Sequence, residues 1–112
     1  MLPIDFNGLN AAVHGPLRLG VMTSLQLDGT LDFSTLKSRL DTADGSLAMH
    51  LRRLEEEGYV AMTKEFVGRR PKTSYKLTTT GRRALGDYLS TLRQLLDAMD
   101  AAMLRQQQPR KL

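Results

Sequence analysis

At Gly58 the spacing of apolar residues changes, and that change limits what the chain can become. Upstream, Phe33, Leu36 and Leu40, then Leu47, Leu51 and Leu54, recur at the three- and four-residue steps of one helix face. Downstream, Tyr59 to Thr63 reads as a strand, Phe66 to Lys72 as a loop marked by Gly68 and Pro71, and Thr73 to Leu77 as a returning strand. Two short amphipathic helices joined by the turn Asp41-Thr42-Ala43-Asp44 therefore run directly into a β-hairpin. Gly58 supplies the left-handed stop between the two regimes.

The flanks extend this pattern. Leu2 to Val13 places Ile4, Phe6, Leu9 and Val13 at near-helical spacing, with Asp5 or Asn7 as a cap, and predicts a short helix. Pro16 fits the first position of the next helix, where its missing N–H would have no partner. That helix runs to about Leu27 with Leu17, Val21, Met22 and Leu25 inward, and Asp28-Gly29 ends it. Asp32 caps the following helix while Leu31 packs on Leu36. Thr78 caps the last helix, about Thr79 to Gln107, whose apolar stripe includes Leu85, Tyr88, Leu92, Leu95, Met99 and Ala102. At ~1.5 Å per residue it extends roughly 40 Å. A small core cannot cover that length, so the outer half needs a partner surface. The fold class expected is mainly α with a small β-hairpin (α+β), a winged helix-turn-helix. Residues 1–112 form one domain, with a winged-helix core at about 14–79, a long C-terminal helix at 80–107 and a frayed tail at 108–112.

Composition narrows the function. A chain of 112 residues that is 41% hydrophobic supports one modest core. It has no cysteine, which removes disulfides, thiolate zinc sites and cysteine nucleophiles together. The sequence has no basic segment followed by an apolar run at its start and no stretch near the roughly 18 apolar residues of a membrane span. A soluble cytoplasmic protein is expected, with no membrane role. The net charge of +4 is unevenly spread: residues 41–58 carry −3, whereas 59–76 carry +4 and 77–112 carry +3. A basic hairpin tip beside a helix suits a polyanion, because clustered Lys and Arg release the counterions condensed on phosphates. Its bland alternative is a solvated loop.

With Leu47, Leu51 and Leu54 inward, the third helix turns Gly45, Ser46, Met49, Arg52, Arg53 and Glu56 outward. These side chains are the candidates for the major groove of duplex DNA, joined by Asp44, Ala48 and His50. Small residues early in the helix allow close backbone approach, and a helix N-terminus favours an anion. Arg52 or Arg53 can reach O6 and N7 of a guanine with two parallel hydrogen bonds, with Arg53 preferred, and Met49 can meet a thymine methyl. Glu55, Glu56 and Glu57 would repel phosphates, but they stand at the far end of the helix. In the hairpin, Lys64, Arg69, Arg70 and Lys72 are the wing candidates, with Arg69 and Arg70 spanning a minor groove or clamping its phosphates. A plain amphipathic surface helix is the competing reading of the third helix.

His14 and His50 are the only histidines, and nothing in their separation builds a metal site. No nucleophile–base pair, phosphate-cradling loop or carboxylate dyad is legible, so neither a catalytic residue nor a cofactor is expected.

These residues together resemble a known family. The runs His14-Gly15-Pro16-Leu17-Arg18-Leu19, Asp32-Phe33, Asp44-Gly45-Ser46-Leu47, His50-Leu51-Arg52, Leu54-Glu55 and Gly58-Tyr59-Val60 carry the likeness. With Gly68-Arg69-Arg70-Pro71, Thr73, Tyr75, Leu77-Thr78 and Gly81-Arg82, the chain is similar to the small winged-helix transcriptional regulators related to the MarR and ArsR groups. The resemblance covers roughly Ile4 to Leu96. It implies a prokaryotic homodimer that binds double-stranded DNA, with N- and C-terminal helices at the dimer interface. Carried onto this chain, that interface is Ile4, Phe6, Leu9, Leu85, Tyr88, Leu89, Leu92, Leu95, Leu96, Met99 and Met103. The turn departs from the family, which favours glycine, an apolar residue and a Ser or Thr cap where this chain has Asp41-Thr42-Ala43. The cap is therefore expected to shift to Thr42 or Asp44. The cysteine or histidine clusters of ArsR-type metal sensors are missing, so any effector is a small organic molecule or absent.

The function expected is a sequence-specific transcriptional regulator on a roughly palindromic operator, with the third helix in the major groove. The alternative is a winged-helix protein-interaction module without nucleic-acid binding, motivated by the acidic run and the uncovered apolar stripe.

Overall fold

A computed structural model describes residues 5–107. Ile4 and the tail 108–112 lie outside the described residues. The elements are α1 (Pro16–Asp28), β1 (Leu31–Asp32), α2 (Phe33–Leu40), α3 (Asp44–Glu56), β2 (Val60–Val67), β3 (Arg70–Leu77) and α4 (Thr79–Gln107). The strands form one antiparallel sheet in the order β1-β3-β2. Four helices and this small sheet make a winged-helix α+β fold.

Three expectations need correction. The described part of the N-terminal segment is not an α-helix. The Asp5 carboxylate accepts the Asn7 N–H at 2.9 Å and closes a three-residue 3-10 turn, Phe6–Gly8. Asn10 then takes the Ala12 N–H on its own side chain at 2.9 Å. Short polar side chains that bond neighbouring backbone offer an alternative to the helical ladder, and here they prevail over the apolar spacing. The hairpin loop is also shorter than expected, with only Gly68 and Arg69 unpaired, because pairing continues through Phe66↔Pro71 and Val67↔Arg70. In a two-residue hairpin Val67 and Arg70 form the hydrogen-bonded pair, so the missing N–H of Pro71 falls at a pair that exchanges no backbone bonds. Finally, neither Thr42 nor Asp44 caps α3. Its N-cap is Ala43, which has no side-chain acceptor, while Asp44 binds Lys37 Nζ at 2.8 Å. The short strand β1, paired through Leu31↔Tyr75 and Asp32↔Ser74, is too brief to leave a period in the sequence.

Elsewhere the local chemistry works as the residues suggest. Pro16 opens α1, and the Asp32 carboxylate accepts the Thr35 N–H at 2.7 Å to cap α2. The Thr35 hydroxyl and then its backbone N–H lower the Asp32 pKa from the ordinary carboxylate value. Asp41 takes the left-handed conformation (φ 48°) that turns the chain from α2 to α3, and Gly58 takes it (φ 76°) after α3. Val21, Met22, Leu25, Leu36, Leu47, Leu51 and Leu54 then fill the core, closed by Val60, Tyr75 and Leu77 from the sheet and Leu85 and Tyr88 from α4. Leu17, expected inside, is only half-buried.

The base of α4 is tied to the start of the sheet. Thr78 Oγ1 accepts the Gly81 N–H at 2.9 Å and donates to Gly58 O at 2.6 Å, while Thr78 N donates to Tyr59 O at 3.0 Å. Gly81 is buried there, and a Cβ on it would stand 2.0 Å from Tyr59 O. Past Tyr88 no α4 residue is buried. The radius of gyration is 18.4 Å, against about 13 Å for a compact chain of similar length. The helix therefore projects from the body.

Gly81→Ala should lose about 3 kcal/mol or more in chemical denaturation, because the new methyl meets backbone that cannot move aside. Gly86→Ala, on the same helix with open space around it, should instead gain roughly 0.5–1 kcal/mol. Asp32→Ala should cost about 1 kcal/mol near neutral pH. Since the folded pKa is lowered, that difference persists above about pH 4 and closes as the pH falls further.

Candidate nucleic-acid interface

Burial of Leu47, Leu51 and Leu54 sets the rotation of α3 and leaves its other side open. Gly45, Met49, Arg52 and Arg53 are exposed, Met49 at 60%, while Ser46, Ala48 and His50 are half-buried at the margins. Asp44 is exposed but engaged with Lys37 of α2. Arg53 Nε lies 3.4 Å from Glu57 Oε1, one turn on. Arg52 makes no ion pair among the described residues. Both arginine heads are thus available, since an exposed pair one turn apart is worth only ~0.3–0.5 kcal/mol.

The wing follows immediately. Gly68 has φ 66° and Arg69 does not share a positive φ, the backbone signs of a II′ turn that matches strand twist. Arg69 thereby stands exposed at the tip that joins the two strands, and Arg70 opposes Val67. Lys64, Arg69, Arg70 and Lys72 are all exposed. Alternation along the hairpin separates them: Lys64 shares a face with Met62 and Phe66, whereas Lys72 and Arg70 share the opposite one with Glu65 and Val67. Lys72 lies close enough to Asp32 to favour its charged form. Phe66 and Val67, placed in or beside the expected loop, are strand residues exposed at 76% and 61%.

One residue of the site was not picked out by its type. Arg18 of α1 donates through Nη1 to His50 Nδ1 at 3.1 Å, and through Nη2 to Ala11 O at 3.1 Å and His14 O at 3.3 Å. Burial, then the Arg18 charge, pushes the His50 pKa below its ordinary value. His14, the other histidine, is 2.7 Å from the Tyr88 hydroxyl on α4. The sequence clue was a lone arginine among the apolar residues that open α1.

The residues named for the dimer face divide. Leu85 and Tyr88 are inside the subunit core at 3% and 2% exposure, which removes them from an open surface. Leu9 and Leu92 are partly buried against that core. Phe6, Leu89, Leu96, Met99 and Met103 are exposed, and Leu95 is half-buried. Among the described residues no helix is long and apolar enough to cross a membrane, and no group of three or more His, Cys, Asp or Glu is placed to hold a metal ion.

A helix pair, an open arginine-bearing second helix and a basic hairpin on one small core define the winged helix-turn-helix class. Residues 17–96 match the winged helix DNA-binding domain family, and the chain belongs to it. An uncharacterized protein of Methanocaldococcus jannaschii is 41% identical over 64 residues, which is 57% of this chain and 70% of that protein. A transcriptional regulator homologue from Pyrococcus horikoshii superposes with a TM-score of 0.77 at 30% identity, covering 84% of this chain and 94% of that one. A protein of Enterococcus faecalis described as a MarR-family transcriptional regulator superposes at 0.69 with 27% identity, covering 94% and 97%.

Because the tip depends on the positive φ of Gly68, Gly68→Ala should cost roughly 1–2 kcal/mol. Gly68→Asn should cost less, since asparagine tolerates that region. Denaturant midpoints of the two variants check the order.

Proposed function

We propose that the protein is a homodimeric transcriptional regulator that binds a roughly palindromic operator in double-stranded DNA. The observation that carries this reading is the open face of α3, with Arg52 and Arg53 at the solvent, followed directly by a hairpin tip bearing Arg69 and Arg70. In this reading α3 enters the major groove, Asp44 to Ser46 lie at its entry, and Met49, Arg52 and Arg53 meet base edges. Lys64, Arg69, Arg70 and Lys72 contact phosphates or the minor groove, supplying affinity more than sequence choice. Regulators among the structural neighbours support the assignment.

Dimerisation is argued from α4. Leu85, Leu92 and Met99 recur every seven residues, as do Tyr88, Leu95 and Ala102, and Leu89, Leu96 and Met103. The inner members are taken up by the subunit core, whereas Leu89, Leu96, Met99 and Met103 are exposed on the projecting part. A seven-residue apolar repeat on an unpartnered helix fits a second copy packed along it. Two-fold symmetry then presents two reading helices about one turn of duplex apart, ~34 Å. The acidic run, which favoured a protein-interaction module, is partly satisfied within the subunit by the Arg53–Glu57 pair.

Selection from random duplexes followed by a salt series tests the reading. Affinity should fall steeply as salt rises, and Arg69→Ala should reduce the logarithmic slope by about 1 while weakening all duplexes alike. Arg53→Ala and Arg52→Ala should instead relax preference at one base position, by about 1–3 kcal/mol of discrimination. A flat salt response, or equal loss on every sequence for all three variants, would count against the assignment.

Truncation after Gln94 retains Tyr88 and Leu92 but removes the projecting repeat. It should give a monomer by sedimentation, with weaker operator binding. An unchanged dimer would place the interface elsewhere.

A further inference from the structure

Arg18 and His50 form a contact whose chemistry allows only one arrangement of protons. A guanidinium has donors and no acceptor, so at 3.1 Å His50 Nδ1 must offer its lone pair to Arg18 Nη1. Turning the ring over would set a carbon-bound hydrogen against the same N–H group, which fixes the ring orientation. The guanidinium is itself held in place by two carbonyls, Ala11 O and His14 O, at the entrance to α1. A neutral imidazole carries one proton, and with Nδ1 committed that proton stands on Nε2. His50 lies at the edge of the exposed arc of α3, half-buried, and lines a hollow of about 270 Å³ with Arg18 from α1 and Met49, Arg52, Arg53 and Glu56 from α3. An edge position faces the wall of a groove that α3 occupies, where phosphates stand, more than its floor.

We propose that Arg18 is a positioning residue that locks His50 as the Nε2–H tautomer, making His50 an uncharged hydrogen-bond donor to a phosphate oxygen of bound duplex DNA. The proposal rests on the DNA-binding reading above. The Nε2–H bond strengthens attachment without adding a cation, so it contributes affinity but no salt dependence. Protonation would place a second N–H between Nδ1 and Arg18, and the nearby charges are three arginines against one glutamate. Burial and, second, the Arg18 charge lower the His50 pKa and so favour the neutral ring. An acid-strengthened imidazolium–phosphate pair is therefore disfavoured while Arg18 donates to Nδ1.

Nitrogen-15 NMR of the full-length protein reads the tautomer directly, with the H14Q variant assigning the remaining ring. His50 should show a protonated Nε2 and a bare Nδ1 at neutral pH. A proton on Nδ1 overturns the proposal without reference to DNA. Binding is then measured on a duplex recovered by selection and on an unrelated duplex of equal length. H50L should lose about tenfold on both with an unchanged salt slope. H50Q, whose amide oxygen can accept from Arg18 while its NH₂ donates outward, should recover most of that loss. R18M should also weaken binding at neutral pH. Between about pH 7.5 and about pH 5.5 its affinity should rise, because the freed ring can charge against phosphate, while wild type does not rise. Acid strengthening in wild type, or wild-type affinity in H50L, overturns the proposal while leaving DNA binding intact. Binding of no duplex by the wild-type protein overturns both.

Discussion

The carbonyl of Tyr59 is the point on which the arrangement of the molecule depends. Tyr59 N closes onto Leu54 O at 2.9 Å, finishing α3, while Tyr59 O receives Thr78 N at 3.0 Å at the far end of the hairpin. Gly81 packs against the same carbonyl at a distance no side chain would permit. The tyrosine hydroxyl accepts from Asn10 Nδ2 at 2.7 Å, bringing in the N-terminal segment. One residue thus joins the end of α3, both ends of the wing and the base of α4. A bulky neighbour at position 81 would push α4 off the sheet and loosen the anchor that fixes the wing relative to α3. The direction in which the arginines of the two elements point is therefore set at a site with no charged group of its own.

From that anchor, stability and openness are distributed along α4 in opposite senses. The first turns, about three of them, supply Leu85 and Tyr88 to the core, and Tyr88 also meets His14 before α1. Further out, burial stops and an apolar repeat continues. A helix with so little tertiary cover is marginal in water on its own, since most helical stability in proteins comes from packing one face. The exposed repeat is consequently a structural demand as well as an opportunity for the dimer proposed here.

The main elements were legible because each is announced by chemistry confined to a few residues. Pro16, Asp32, Gly58 and Thr78 mark ends through fixed φ, side-chain acceptors or left-handed backbone, and those effects do not depend on the rest of the fold. The span of α4, Thr79–Gln107, follows from its cap and stripe. What the sequence hid is equally local. The apolar spacing of Phe6, Leu9 and Val13 imitated a helix, but the side chains of Asp5 and Asn10 claimed the backbone donors. Gly68 and Pro71 imitated a long loop, although pairing across the hairpin tolerates proline at a pair without backbone bonds. In the candidate interface, the outward set on α3 was visible from periodicity, whereas Arg18 belongs to it only through contact with a residue 32 positions away. Type and spacing carry no signal for such a partnership. Nor could they assign Leu85 and Tyr88 to the core instead of the open stripe, because both faces of α4 use the same residues.

The acidic end of α3 is reconciled with a polyanionic partner by where each carboxylate goes. Glu57 lies against Arg53, Glu55 is half-buried near Tyr75, whose hydroxyl is kept protonated to higher pH first by burial and then by that charge, and Glu56 remains beside the arginines in the hollow. None of them stands in the first turns of the helix, where small residues and the positive end of its dipole lie. The pair Arg53–Glu57 has side-chain exposures of 53% and 39%, so it is screened and weak. In the function proposed, a phosphate or a guanine edge replaces Glu57 at little cost. In that reading Arg53 can thus exchange a weak internal partner for a bidentate acceptor, while Arg52, with no ion pair among the described residues, is open from the start. The three glutamates that, taken by composition alone, argue against DNA thus leave the first turns of α3 open.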